Sequence, residues 1–313
     1  MILITGSSGY VGSDLIPRLK SITQVCGIDI ISSKYTDVIA GIETAELKMA
    51  FKELACDEVN IVNLAAARFD FGATAKEYFN LNVKCHEIFL DSLHEFKVKK
   101  FIHVSSVASF DGRDIPYSEV LECDDAYRST KYLQEVLVKE WCQKKGVNLT
   151  ILYPSAIFSE DARSDTNIGK MQALSRYLPF VPEIDVDKSL TYLPKFSDFI
   201  MDVINGKIPS GQYMAIEQPT LAVSEMIRIL SGRSLPVIRV PGLRPALTMA
   251  AKFLFAVGGF GKVDMKLTPN RVTKLFSDTA YTDLNDVQVD LITYSSINKE
   301  NLTDILTNFK NGQ

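Results

Sequence analysis

Five short aliphatic and β-branched runs punctuate the first half of the chain: Ile2–Thr5, Gln24–Ile28, Asn60–Leu64, Phe101–Ser105 and Thr150–Tyr153. Each is too short for a helix and nearly continuous in apolar character, as in strands buried on both faces of a parallel sheet. Between them, Val11–Leu19, Thr44–Leu54, Ala75–Phe96 and Asp124–Lys145 place apolar residues three to four apart, which predicts amphipathic helices. This alternation predicts an α/β fold, a doubly wound parallel sheet with helices on both faces. Pro17 falls inside the first helix. It has no N–H for the Ser13 carbonyl and is expected to distort the helix there.

Beyond Pro154 the pattern loosens, with prolines at 179, 182, 194, 209, 236, 241 and 245. Short elements between such breaks predict a smaller C-terminal substrate-binding lobe. The expected division is 1–155 for a dinucleotide-binding domain and 156–313 mainly for the lobe, with some segments returning to the first domain. The most apolar later stretch, Leu247–Gly259, is interrupted by Lys252 and falls well short of the roughly 20 residues that a membrane span needs. It predicts a helix of the lobe, with contact at a membrane surface as the lesser alternative.

Composition narrows the class without deciding it. The 313 residues are 46% hydrophobic and 23% charged, with a formal net charge of −4, ordinary for a soluble globular protein and unlike the basic surfaces that hold nucleic acid. Cys26, Cys56, Cys85, Cys123 and Cys142 are odd in number and scattered, so reduced thiols in the cytoplasm are expected instead of a disulfide framework. Met1 leads directly into a strand without a basic stretch, so no secretory leader is expected. His86, His94 and His103 show no metal-ligand spacing, and no metal is expected.

The first strand runs into Thr5-Gly-Ser-Ser-Gly-Tyr-Val-Gly12, with glycines at every third position. Such a turn between a strand and a helix lets backbone approach a pyrophosphate and aims helix N-terminal amides at it. Asp29 closes the second strand, where an acid would bind ribose hydroxyls and repel a 2′-phosphate, so NAD is expected over NADP. Lys34 nearby could hold such a phosphate instead.

Tyr127 and Lys131 stand at i and i+4, one helical turn apart. An ammonium beside a phenol lowers its pKa from roughly 10, which suits Tyr127 to exchange a proton with an alcohol or ketone. The spacing is common by chance. Its weight comes from following a strand that ends in Ser105-Ser106, at the sheet edge where such folds place their ligands.

On these residues the chain resembles the extended short-chain dehydrogenases/reductases of the NAD-dependent epimerase/dehydratase family, in its nucleotide-sugar-modifying branch. The likeness also takes in Asn63-Leu-Ala-Ala66, Asn82-Val83, Val104-Ser-Ser106 and Glu135. It implies a Rossmann sheet and a catalytic triad of Ser106 (Ser105 as the runner-up), Tyr127 and Lys131. It places NAD against Gly6, Ser8, Gly9, Tyr10, Val11, Gly12 and Asp29, then Leu64, Ala65, Ala66 and Asn82. Ser105, Tyr127, Lys131, Tyr153 and Pro154 complete that surface. Asp187-Lys-Ser-Leu-Thr-Tyr-Leu193 with Asp198 is similar to polysaccharide-pathway members acting on nucleotide-linked amino sugars. A homodimer through the two helices that include the Tyr-Lys helix is also implied.

Several departures bound the resemblance. Family dehydratases carry Asp-Glu after the catalytic Ser or Thr, whereas Val107 and Ala108 stand here, so dehydration is excluded. Tyr153-Pro-Ser-Ala-Ile-Phe-Ser159 lacks the Arg and Asn that commonly hold the substrate, leaving Arg163, Lys170, Arg176 and Lys188 as candidate cations. Asp37-Val38 is the candidate pair to bracket adenine. The expected activity is oxidation or reduction of a secondary alcohol on a nucleotide sugar, as a 4-epimerase or a ketoreductase/dehydrogenase. The competing readings are a 3β-hydroxysteroid-dehydrogenase-like or flavonoid-reductase-like enzyme and a non-catalytic NAD-binding sensor or scaffold.

Overall fold

A computed structural model describes residues 1–54, 56–67, 74–121, 126–160, 166–217, 220–258, 269–279 and 290–293. Its centre is an eight-stranded sheet in which every pairing is parallel. In chain order the first half contributes β1 (Ile2–Thr5), α1 (Tyr10–Lys20), β2 (Val25–Asp29), β3 (Val38–Ile39), α2 (Ala45–Glu53) and β4 (Glu58–Asn63). There follow α3 (Ala75–Phe79), α4 (Cys85–Ser92), β5 (Lys97–Val104), α5 (Ala126–Lys145) and β6 (Asn148–Pro154).

The remaining elements are β7 (Ala156–Phe158), α6 (Asn167–Ser175), β8 (Val181–Pro182), β9 (Asp187–Lys188), β10 (Leu190–Tyr192), α7 (Leu193–Ile204) and β11 (Gln212–Ile216). The last are β12 (Leu221–Ala222), α8 (Val223–Ser231), β13 (Val237–Ile238), α9 (Leu243–Gly258), α10 (Pro269–Leu275) and β14 (Asp290–Thr293). The sheet order is β3-β2-β1-β4-β5-β6-β11-β14. The chain thus winds outward from β1 in one direction and then, from β4, in the other. Doubly wound sheets bind ligands where that reversal opens a crevice at the carboxyl ends of the strands.

Side-chain alternation along β1 divides the core. Ile2 and Ile4 pack with Leu15, Ile16 and Leu19 of α1 and with Phe196, Ile200 and Val203 of α7. Leu3 points the other way, into a cluster with Leu47 and Phe51 of α2, Phe89 of α4 and Val138 of α5. Leu15 is fully buried, so truncation to Ala would cost about 2–5 kcal/mol. Pro17 does not end α1. It lies on the exposed side, where water can donate to the Ser13 carbonyl in place of the missing N–H.

The helix expected over Ala75–Phe96 is composite. A capping box of Thr74 and Glu77 starts α3, a π-helical turn occupies Asn80–Lys84, α4 follows, and a 3₁₀ turn covers Leu93–Glu95. The π turn places Asn82 and Val83 in the interior, a use of such bulges that recurs at functional sites. The helix expected from Asp124 is described from Ala126 onward; Asp124 lies outside the described residues.

After β6 the chain leaves the sheet to build two small cores. Phe158, Ile168, Leu190, Leu221 and Met226 form one; Val181, Ile184, Val223 and Ile227 form the other, with Leu243 and Leu275 packed against it. Two segments return to the large sheet: β11 pairs with β6, and β14 with β11.

Candidate active site

The turn between β1 and α1 is built for close approach. Gly6 has φ +72°, and a Cβ there would stand 3.0 Å from the carbonyl carbon of Leu64. At Gly12 a Cβ would stand 2.5 Å from the Gly6 oxygen, so only glycine lets α1 press onto the turn. Gly9 caps α1 with no side-chain acceptor, so the positive end of the helix dipole faces the cradle, where an anion is favoured. At the end of β2 the Asp29 carboxylate accepts the Ser8 amide at 3.0 Å and the Ile31 amide at 3.0 Å. An open glycine cradle with an acid at its rim fits a dinucleotide diphosphate and its adenosine ribose.

Other parts of this groove are tied to the sheet. Thr5 Oγ1 donates to Asn63 at 2.7 Å and accepts the Ala65 amide at 3.1 Å. Val11 and Leu64 pack on the core, and Ala66 is half-buried beside them. The Tyr10 hydroxyl meets the Ser159 hydroxyl at 2.7 Å, joining the first turn of α1 to the chain entering the lobe.

Ser105 and Ser106 follow β5 at its carboxyl end, and α5 carries Tyr127 and Lys131 toward the same edge. Ser106 Oγ caps a 3₁₀ turn over Val107–Gly112 by accepting the Ala108 amide at 3.2 Å. That turn packs directly against α5: a Cβ on Gly112 would be 2.4 Å from the Arg128 oxygen. Asn82 steadies α5 from the other side, accepting the Ala67 amide at 2.7 Å and donating to Thr130 at 3.1 Å. Tyr127 is half-buried. Its ring meets that of Tyr78 edge-on at 6.0 Å, and the Lys274 ammonium from α10 lies 5.9 Å from its centre.

Lys131 is buried, and its ammonium donates to the Val104 oxygen at 3.1 Å and to Gln134 Oε1 at 2.6 Å. Burial pulls its pKa down to about 7, against the pull of Glu135. The Gln134 amide nitrogen donates to the Ala65 oxygen at 3.1 Å and to His86 Nε2 at 2.6 Å. His86 Nε2 therefore carries no proton, and Nδ1 donates to the Leu81 oxygen at 3.0 Å. Burial holds this imidazole neutral, with its pKa down at about 3.

Behind the serines sits a buried carboxylate. Glu135 accepts Ser105 at 3.3 Å, Ser109 at 3.4 Å, Lys139 at 2.6 Å and the Tyr153 hydroxyl at 2.8 Å. The Gln212 amide is also 2.8 Å from that hydroxyl. Tyr153 is wholly enclosed, and burial pushes its phenol above the usual range. In the fold, then, Tyr153 supports Ser105 from inside the sheet, and Pro154 ends β6 beside it, also buried.

The remaining candidates separate. Asp37 accepts the Gly27 amide at 2.8 Å and pairs with Lys20 at 2.9 Å, so its carboxylate fastens β3 to β2. Lys34 is exposed over the Tyr35 ring. Lys188 donates to the backbone oxygens of Lys274 and Ser277, and burial lowers its pKa to about 8. Lys170 and Arg176 lie on and just after α6, Asp198 pairs with Arg18 at 2.9 Å, and Arg163 lies outside the described residues. Sequence reasoning missed Gln134, His86, Ser109 and Lys274. Of these only Gln134 left a trace, three residues after Lys131 on the same helix face. Among the described residues no group of side chains could hold a metal ion.

Residues 2–177 match the NAD dependent epimerase/dehydratase family. The chain belongs to this family. As a member it is an NAD-dependent enzyme of the extended short-chain dehydrogenase/reductase type. No curated protein matches the sequence. Among solved structures, UDP-glucuronic acid 4-epimerase from Bacillus cereus superposes with a TM-score of 0.62 at 19% identity, over 76% of this chain and 85% of that one. UDP-glucose 4-epimerase from Thermus thermophilus gives 0.58 at 15% identity, over 88% and 98%. UDP-glucose 4-epimerase from Thermotoga maritima gives 0.60 at 16% identity, over 77% and 85%. At these identities the likeness is one of fold. The family membership fits the glycine cradle, the acid at its rim and the α5 helix facing it.

Proposed function

We propose that this family member is a nucleotide-sugar 4-epimerase, inverting a secondary alcohol through a ketone without net redox change. The observation that carries the reading is the Gly112–Arg128 contact, which packs the turn after Ser106 onto α5 between Tyr127 and Lys131. Ser, Tyr and Lys thereby share one edge of the sheet. Support for the substrate class comes from the neighbouring folds, which include UDP-sugar epimerases.

NAD, held by Gly6, Gly9, Gly12 and Asp29, supplies a two-electron acceptor and donor when bound. Tyr127 takes the hydroxyl proton as the carbon is oxidised, and returns a proton to the same oxygen when the opposite face of the ketone is reduced. Ser106 donates a hydrogen bond to that oxygen and orients it. Lys131 has three donors; two hold Val104 and Gln134, and the third serves the Tyr127 phenol or the nicotinamide ribose. Val107 and Ala108 offer neither acid nor base for removing water, so the oxygen stays on its carbon throughout.

A homodimer forms in this reading through α4 and α5. Ile88 is exposed on α4, and Tyr132, Leu133 and Val136 are half-buried on α5. Sedimentation as a monomer at micromolar concentration would remove that part.

The test is to incubate purified protein with a panel of UDP- and dTDP-sugars while following NADH absorbance and product stereochemistry. Epimer formation with co-purifying NAD and no free NADH supports the reading. Net NADH formation makes the protein a dehydrogenase, and absence of thermal stabilisation by either nucleotide removes the nucleotide-sugar class.

A further inference from the structure

We propose that the C-terminal lobe docks on an anionic lipid surface through α9. The outward side of this helix is apolar where a soluble helix is ordinarily polar. Met249 and Phe253, one turn apart, are 70% and 69% exposed, and Ala246 and Ala250 are exposed beside them. Ala251, on the opposite side, is fully buried. Earlier in the lobe, β13 carries two further exposed apolar residues, Val237 and Ile238.

Charge decides what covers this face. From Met226 to Leu254 the sequence contains Arg228, Arg233, Arg239, Arg244 and Lys252 and not one carboxylate, in a chain whose net charge is −4. All five cations are exposed. Arg233 donates to the backbone oxygens of Arg176 and Leu178, which leaves its charge uncompensated by them. Arg239 faces Glu183 at 4.0 Å, a loose approach between exposed groups that water and salt screen.

Exposed aromatic and thioether side chains flanked by cations are what an interfacial helix presents to headgroups and acyl chains. A second copy is the poorer occupant, because a two-fold axis through this face would set the cations of one protomer against the same cations of the other. Among the described residues no helix is long and apolar enough to cross a membrane, so α9 lies on the surface. It packs on α10, whose Lys274 lies over the Tyr127 ring.

The experiment is co-sedimentation of the full chain with vesicles of equal parts phosphatidylglycerol and phosphatidylcholine, and with phosphatidylcholine alone. The expected result is binding to the anionic vesicles only, released by high salt. Met249→Glu with Phe253→Glu should abolish it, and Arg244→Gln or Lys252→Gln should each weaken it about fivefold. All four side chains are exposed, so NAD binding and the melting temperature should match the parent and certify folding. Absence of vesicle binding, binding indifferent to the double variant, or a dimer that the double variant dissociates would each overturn the proposal.

Discussion

Gly112 rests against the main-chain oxygen of Arg128, with room for hydrogen and nothing larger: a Cβ would lie 2.4 Å from that oxygen. Gly112→Ala must push the 3₁₀ turn away from α5, at a cost of about 1–3 kcal/mol. Ser106, which caps that turn, moves with it. We expect kcat to fall far more than NAD affinity, and kinetics beside calorimetric titration would show it. An active Gly112→Ala enzyme would mean that the turn does not set the serine's place.

Tyr127 is the proton-transfer group of the proposed reaction. Tyr127→Phe should lower turnover by about 10²–10⁴-fold, with NAD still bound and the melting temperature within a degree or so of the parent. Equal turnover by the variant would transfer the role elsewhere.

Lys131 gives a stability prediction with a definite sign. Its pKa is about 7 when folded against 10.5 for a free lysine. Between those values the unfolded chain binds more protons, so the folded state gains stability as pH rises through the window. Relative to Lys131→Met, the parent should gain at most about 1.4 kcal/mol for each pH unit. Urea unfolding of both proteins at the two ends of the window measures it, and parallel pH dependence would contradict it.

Glu135 holds four partners in a dry pocket. Glu135→Ala removes the carboxylate that Ser105 and Lys139 bond to, while Ser109 keeps the Ser106 oxygen and Tyr153 keeps Gln212, and should destabilise the fold by about 1–3 kcal/mol. Tyr153→Phe removes a single donor and should cost about 1 kcal/mol. Denaturant midpoints of the two variants compare them directly.

In the proposed reading Asp29 sets the nucleotide preference. Asp29→Asn removes the charge that repels a 2′-phosphate and weakens the ribose contact, so NAD affinity should drop about tenfold while NADP begins to bind. Titration with both nucleotides checks the pair of effects, and an unchanged preference would point away from this carboxylate.

The sheet was legible because its central strands are apolar on both sides. Ile2–Thr5 coincides with β1 to the residue, and the other four strands were found within a few residues of their ends. The break of Ala75–Phe96 was not legible, since a π turn shifts the helix by one residue and leaves its apolar spacing nearly intact. The glycine turn and Asp29 stand out in the sequence by their place after β1 and β2, and Tyr127 and Lys131 by following a strand that ends in serines, since their spacing by itself is common. Gln134 and His86 do not, because a polar pair buried between α4 and α5 advertises itself only after those helices have packed. Lys274 reaches Tyr127 from far along the chain, and nothing near either residue marks that meeting.

The Tyr10–Ser159 bond ties the first turn of α1, at the glycine cradle, to the chain that enters the lobe. Under the proposed function, grip on the coenzyme and the posture of the substrate's half of the cleft are therefore mechanically joined. A ketone turning over midway through the proposed inversion would sit under a roof that this pair of hydroxyls helps pin to the floor.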